Sequence, residues 1–202
     1  MGAKIKKSIL LLFTNPSEFF RIVKAFILGS IYCAYYNLFT KKIHVGFPFF
    51  VFAPFKLNGP GEIVIGKNCR IFYNVFRGVH VSTLSTEAKI NIGKGASLGG
   101  ITIRAKNKIT IKDDLLAAFS LIQDYVIASS ILPAPLENNI SEIYIGNQVW
   151  IGGQACVLGG SCIEDGCILT MGTVTNSIFK KTMIIVGNPA KRGIPINLFL
   201  RG

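Results

Sequence analysis

The stretch IGNQVWIGGQACVLGGSCIEDGCILTMGTVT, residues 145–175, repeats itself every six residues without an error. Ile145, Ile151, Val157, Ile163, Leu169 and Thr175 mark one position of the repeat. Val149, Ala155, Ser161, Cys167 and Thr173 mark a second, four residues later, that is always small or β-branched. An amphipathic helix needs apolar positions near every 3.6 residues and a half-buried strand needs them at every second residue, so neither produces a six-residue beat. A repeating coil does. If each unit makes one short strand and one tight corner, three units close a triangular turn of roughly 18 residues, and successive turns stack. The large aliphatic fills the prism and the small residue lets the corner close. Gly146, Gly152, Gly153, Gly159, Gly160, Gly166 and Gly172 fall near the corners, where left-handed backbone angles are expected.

Working outward, the beat weakens. The coil is expected to begin at Glu62, with Ile65-Gly66 and Ile71 six apart. Residues 76–87 lose the rhythm and read as an outward bulge. Ile92-Gly93 and Leu98-Gly99 restore it, and Ala105, Ile111 and Ala117 continue it after one extra residue. From 124 to 142 the rhythm vanishes again, and a loop of that length inside a repeat domain usually carries function or is disordered. Three regions follow: 1–61, a hydrophobic helix and extended lead-in; 62–178, the coil with its loop at about 124–142; and 179–202, a tail.

The tail opens with a second motif, Ile185-Val186-Gly187-Asn188-Pro189-Ala190-Lys191. Trp150-Ile151-Gly152-Gly153 followed at this distance by VGNPAK resembles the hexapeptide-repeat acyltransferases, in particular sugar and polysaccharide O-acetyltransferases. The resemblance covers roughly residues 62–192 and is closest from Ile143 onward. It implies an all-β fold, a left-handed parallel β-helix, here preceded by an N-terminal hydrophobic helical segment. It also implies acetyl-CoA as acyl donor, a loop near the active pocket, and a homotrimer with donor grooves between subunits.

A pantetheine arm needs a narrow groove, which Gly152, Gly153, Ala155 and Gly172 beside Trp150 are expected to supply. Coenzyme phosphates need cations and amides, for which Lys180, Lys181, Lys191 and Arg192, with Gly187, Asn188 and Pro189, are the candidates. Transfer to a hydroxyl also needs a base. Similar sequences open the loop with Ile-x-Asp-His-x-His; this chain reads Ile122-Gln123-Asp124-Tyr125-Val126-Ile127, keeping the aspartate and neither histidine. Asp124, Tyr125 and His80, the last in the irregular sector after Ile71, are therefore the candidate catalytic residues. The alternatives are a non-catalytic, membrane-associated scaffold that kept the coil and lost the base, and an amino-sugar N-acyltransferase, whose amine nucleophile asks less of a base.

Composition bounds the partners. Half of the residues are hydrophobic, mean hydropathy is +0.47, and only 16% are charged, so part of the surface is expected to meet something apolar. The net charge of +12 is uneven: residues 1–60 carry +7, 61–178 carry none, and 179–202 carry +5. No basic stripe interleaved with aromatics marks a nucleic-acid module. Basic ends beside apolar segments suit an anionic membrane or a phosphate-bearing coenzyme. Two histidines, His44 and His80, cannot build a three-histidine metal centre, so no metal is expected. The five cysteines form no CxxC pair and read as packing residues in a reducing compartment.

At the N-terminus, residues 9–13 are too short for a signal-peptide core, and no processing is expected. A helix from Glu18 to Phe39, capped by Ser17, is expected. Its longest uncharged run, residues 25–40, is shorter than the roughly 20 needed to span a bilayer. Peripheral membrane contact through residues 1–55 follows as an expectation. The proposed acceptor is a glycan sugar or its lipid-linked precursor, at the inner face of the cytoplasmic membrane.

Overall fold

A computed structural model describes residues 15–74, 78–125 and 141–199. The chain is a left-handed parallel β-helix with a helix, α1 (Pro16–Phe39), across its first turn. The first turn is β1 (Ile43–Val45), β2 (Phe49–Val51) and β3 (Phe55–Asn58); the second is β4 (Glu62–Ile65), β5 (Cys69–Ile71) and β6 (Val79–Thr83). The third comprises β7 (Lys89–Ile92), β8 (Ser97–Gly99) and β9 (Thr102–Ala105), and the fourth β10 (Lys108–Ile111), β11 (Leu116–Ala118) and β12 (Leu121–Gln123). After residues 124–142 come β13 (Ile143–Ile145), β14 (Trp150–Ile151) and β15 (Cys156–Leu158), then β16 (Cys162–Ile163), β17 (Ile168–Leu169) and β18 (Val174–Thr175). A partial seventh turn, β19 (Ile178–Phe179) and β20 (Met183–Ile185), is followed by β21 (Gly193–Pro195), antiparallel to β20, and a short helix, α2 (Ile196–Phe199).

Strands three apart in the chain pair in parallel, giving three sheets of seven, eight and six strands. The register puts like on like. One inward column runs Val45, Ile65, Ile92, Ile111, Ile145, Ile163, Phe179 along the first sheet. Ile71, Leu98, Ala117, Ile151, Leu169 and Ile185 form its equivalent in the second. Leu57, Val81, Ile103, Ile122, Val157 and Thr175 do so in the third. All are buried, and so are Val149, Ala155, Ser161, Cys167 and Thr173, so the six-residue pattern marks the core as read.

Three boundaries differ from the sequence reading. The coil begins at Ile43, not Glu62, because β1–β3 pair residue for residue with β4–β6. The bulge at 76–87 is largely coil, since β6 occupies 79–83; residues 75–77 lie outside the described set. The tail likewise starts as coil through β19 and β20. Of the loop at 124–142, residues 126–140 lie outside the described residues.

The corner glycines need a different explanation from the expected one. Between the first and second sheets, each of six turns has one residue in the left-handed region, and glycine fills only two: Asn68, Gly95, Asp114, Gln148, Gly166 and Thr182. The N–H of each donates to a carbonyl one turn back, as Gln148 does to Asp113 and Thr182 to Asp165. The glycines of the Ile-Gly pairs are there for clearance: a Cβ on Gly66 would lie 2.6 Å from the Gly93 carbonyl carbon, and one on Gly146 would lie 2.5 Å from Asp165 Oδ1.

Helix α1 closes the open end. Asn15, not Ser17, is its cap, accepting from the Glu18 N–H at 3.3 Å ahead of Pro16 at the first helical position. Ala25, Gly29, Cys33 and Tyr36 form its buried stripe. Gly29 sits directly on β2, where a Cβ would come within 1.8 Å of Phe49 O. Asn37 donates to Val45 O (2.8 Å) and accepts from Val45 N (3.0 Å), while Tyr36 Oη accepts from Leu57 N at 3.2 Å and Tyr32 Oη donates to Phe55 O at 3.3 Å. Helix side chains thereby bond part of the β1 and β3 edges, and the helix covers β2, edges that would otherwise template pairing with another chain.

Candidate functional site

The outward positions of the third sheet form two rows. One runs Lys56, His80, Thr102, Leu121, Cys156, Val174; the other runs Asn58, Ser82, Arg104, Gln123, Leu158. Period-two alternation forces this: the residues between them fill the prism. Among the described residues, neither row contains an acid.

His80 stands on this face, with its Nε2 2.7 Å from Asn58 Oδ1. An amide oxygen only accepts, so Nε2 carries the proton and Nδ1 keeps the lone pair. Partial burial, then the nearby positive charges of Lys56 and Arg104, hold its pKa below the ordinary value of 6.5. His80 is therefore neutral near pH 7 and held in one tautomer, which is what a general base requires.

Two clefts flank it. One of about 300 Å³ is lined by Pro54, Phe55, Lys56, Gly78, Val79 and His80. The other, about 310 Å³, lies along the third sheet and its corner with the second, and includes Thr102, Arg104, Ser120, Gln123, Ala155 and Cys156. Ser120 Oγ is buried without a hydrogen-bond partner among the described residues. Arg104 makes no ion pair among the described residues; its guanidinium lies over the Tyr125 ring, 5.7 Å from the centroid.

The other two catalytic candidates occupy different roles. Asp124 is fully buried, and its two carboxylate oxygens accept the Lys106 N–H (2.7 Å) and the Asn107 N–H (2.8 Å), clamping the corner between β9 and β10. Burial pushes its carboxyl above the usual range despite those bonds. Both oxygens are committed and neither reaches a cleft-facing row, so the catalytic reading of Asp124 gives way to a structural one. Tyr125 is buried beneath Arg104, and burial pushes its phenol up, away from use as a base near neutrality. Its hydroxyl has no partner among the described residues, which leaves it as a potential hydrogen-bond donor.

The candidate coenzyme residues divide. Gly152, Gly153, Gly172, Gly187, Asn188 and Pro189 stack at the corner between the second and third sheets, with the Gly172 N–H bonded to Gly153 O and the Val174 N–H to Gly187 O. This corner is continuous with the larger cleft, whose rim includes Gly100, Phe119 and Gln154, all in the left-handed region. A Cβ at Gly172 would meet nothing within 4 Å, so the groove is open there. Ala155 is buried at its floor, and Trp150 stands half-exposed around the corner on the second sheet. The Ala190 N–H donates to Val174 O and Ala190 plugs the prism, delivering exposed Lys191 and Arg192 to the same edge.

Lys180 and Lys181 do not join them. They lie at the preceding corner, before β20, and pair with Glu164 (3.1 Å) and Asp165 (3.3 Å). The sequence reading grouped all four cations by proximity in the chain, but a six-residue step carries the chain around one corner. It also missed Asn58, Arg104 and Gln123, whose signal is the outward position of each repeat, and Ser120, a buried residue at the corner before β12 that carries no such signal. Comparison of the chain with protein-family models, with curated proteins and with solved structures found no match.

Proposed function

We propose that the chain is an acyltransferase of the hexapeptide-repeat type, moving an acetyl group from acetyl-CoA to a hydroxyl of a surface-glycan sugar or its lipid-linked precursor. The observation that carries this reading is His80, bonded through Nε2 to Asn58 and with no Nδ1 partner among the described residues, on an acid-free face beside an open glycine corner. In the step proposed, the acceptor oxygen attacks the thioester carbonyl carbon while Nδ1 takes its proton. The C–S bond then breaks, and the departing thiolate takes that proton back as the free thiol. Thr102, Ser120 and Arg104 are the donors placed to meet the developing oxyanion. The glycine corner would hold the pantetheine arm, and Lys191 and Arg192 the phosphates. Adjacent strands stand about 4.8 Å apart, so β6 and β15 are separated by roughly 14 Å, a gap that an extended arm spans. A trimer packed about the coil would enclose these clefts between subunits.

Acceptor-dependent release of free thiol from acetyl-CoA tests the reading. Turnover with a cell-envelope glycan supports it; coenzyme binding without turnover on any acceptor supports the scaffold alternative. Lys191→Ala with Arg192→Ala is expected to weaken acetyl-CoA binding about tenfold, the order of one charge-assisted hydrogen bond. Lys180→Ala with Lys181→Ala is expected to leave it unchanged, and calorimetric titration separates the two.

A further inference from the structure

Helix α1 is apolar on both sides. At 3.6 residues per turn, Phe20, Ile27, Ile31 and Leu38 fall within about 40° of one another, opposite the stripe docked on the coil. They are 64%, 53%, 59% and 77% exposed, and Tyr35 and Phe39 widen the strip. Phe47, exposed on the first corner, packs on Phe26 at 5.5 Å, on the flank of the helix between the strip and the docked stripe. The helix has the length and composition to cross a bilayer, yet Tyr32, Tyr36, Asn37 and Gly29 bind it to the edges of all three first-turn strands. A helix so fastened lies across the end of the coil.

We propose that the outer face of α1 lies in the plane of an anionic membrane, so that the coil stands upright on the lipid surface. Charge selects this occupant. Lys24 lies beside the apolar strip, Arg21 near its start and Lys41 and Lys42 just past its end, all exposed. The one acid of residues 1–60, Glu18, is already bonded to Arg21 at 2.7 Å. Long basic side chains at the edge of an apolar strip reach the headgroups while the strip enters the acyl boundary. The geometry also sets a height. His80 is one turn above the first and Arg104 two, which puts these two side chains roughly 5–10 Å above the end turn. A sugar carried on a lipid phosphate would present itself there. The surface itself does not depend on the acyltransferase reading, and the test below has no turnover readout, so either can fail alone.

The test is co-sedimentation of the full chain with phosphatidylcholine vesicles, with and without phosphatidylglycerol. Partitioning is expected to be at least tenfold stronger with phosphatidylglycerol and to weaken with salt. Ile27→Asp with Ile31→Asp, both at exposed positions, should lower it at least tenfold at unchanged melting temperature. Lys41→Gln with Lys42→Gln should lower it on the anionic vesicles alone, by about fivefold per lysine removed. No sedimentation with either vesicle overturns the proposal. So does an Ile27→Asp/Ile31→Asp chain that sediments normally but changes oligomeric state, because the strip then belongs to a second copy.

Discussion

Asp124→Ala is expected to lower stability by about 3 kcal/mol, because it strips the acceptors from two backbone N–H groups at a buried corner. The loss should appear as a fall in melting temperature of roughly 10 °C for a chain of this size. Asp124→Asn keeps one acceptor oxygen and should fall in between. If the aspartate clamps the corner between β9 and β10, as its bonds to Lys106 and Asn107 indicate, the folded Asp124→Asn chain turns over acetyl-CoA at close to the parent rate. A base at this position predicts the reverse: normal stability and lost turnover.

His80→Ala is expected to lower kcat for acetyl transfer by about two to four orders of magnitude, the range a positioned general base contributes. The side chain is partly exposed and, among the described residues, its side-chain bond is to Asn58, so stability should change little. Asn58→Leu removes the acceptor that fixes the tautomer. It should reduce kcat less than His80→Ala does, with KM for acetyl-CoA unchanged because Asn58 lies far from the glycine corner.

The period between Ile145 and Thr175 was legible because every unit there has strand and corner of the same length, so the prism column and the small corner column repeat in step. The first turn was not. Its strands carry Phe49, Phe50 and Phe55, with Pro48 and Pro54 at the corners and only Gly46 in the Ile-Gly position, held by Val45-Gly46. Apart from His44, residues 43–55 are apolar, with α1 packed across this turn, and that hides the alternation that normally marks a half-exposed strand. The helix itself was legible, its cap was not: Asn15 and Ser17 are both good caps, and Pro16 at the first helical position favours the residue before it.

The site was half legible. The glycine corner and the VGNPAK edge were found as motifs, since their residues are close in the chain. The sequence offers His80 as a candidate base without a partner, because His80 and Asn58 are 22 residues apart and meet only through the pairing of β3 with β6. Asp124 drew attention through its place in a loop motif, although a buried carboxylate bonded to two amides leaves no such trace in sequence.

The most direct test of His80 as the base is the pH dependence of kcat/KM for acetyl transfer. Partial burial of the imidazole, then Lys56 and Arg104 beside it, hold its pKa down, so the neutral form should persist below 6.5. The rate should be flat through neutrality, fall on an acid limb with a midpoint below 6.5, and shift that midpoint upward in Lys56→Gln. An acid limb unchanged in Lys56→Gln and still present at full amplitude in His80→Ala would assign the proton transfer to another group and contradict the account.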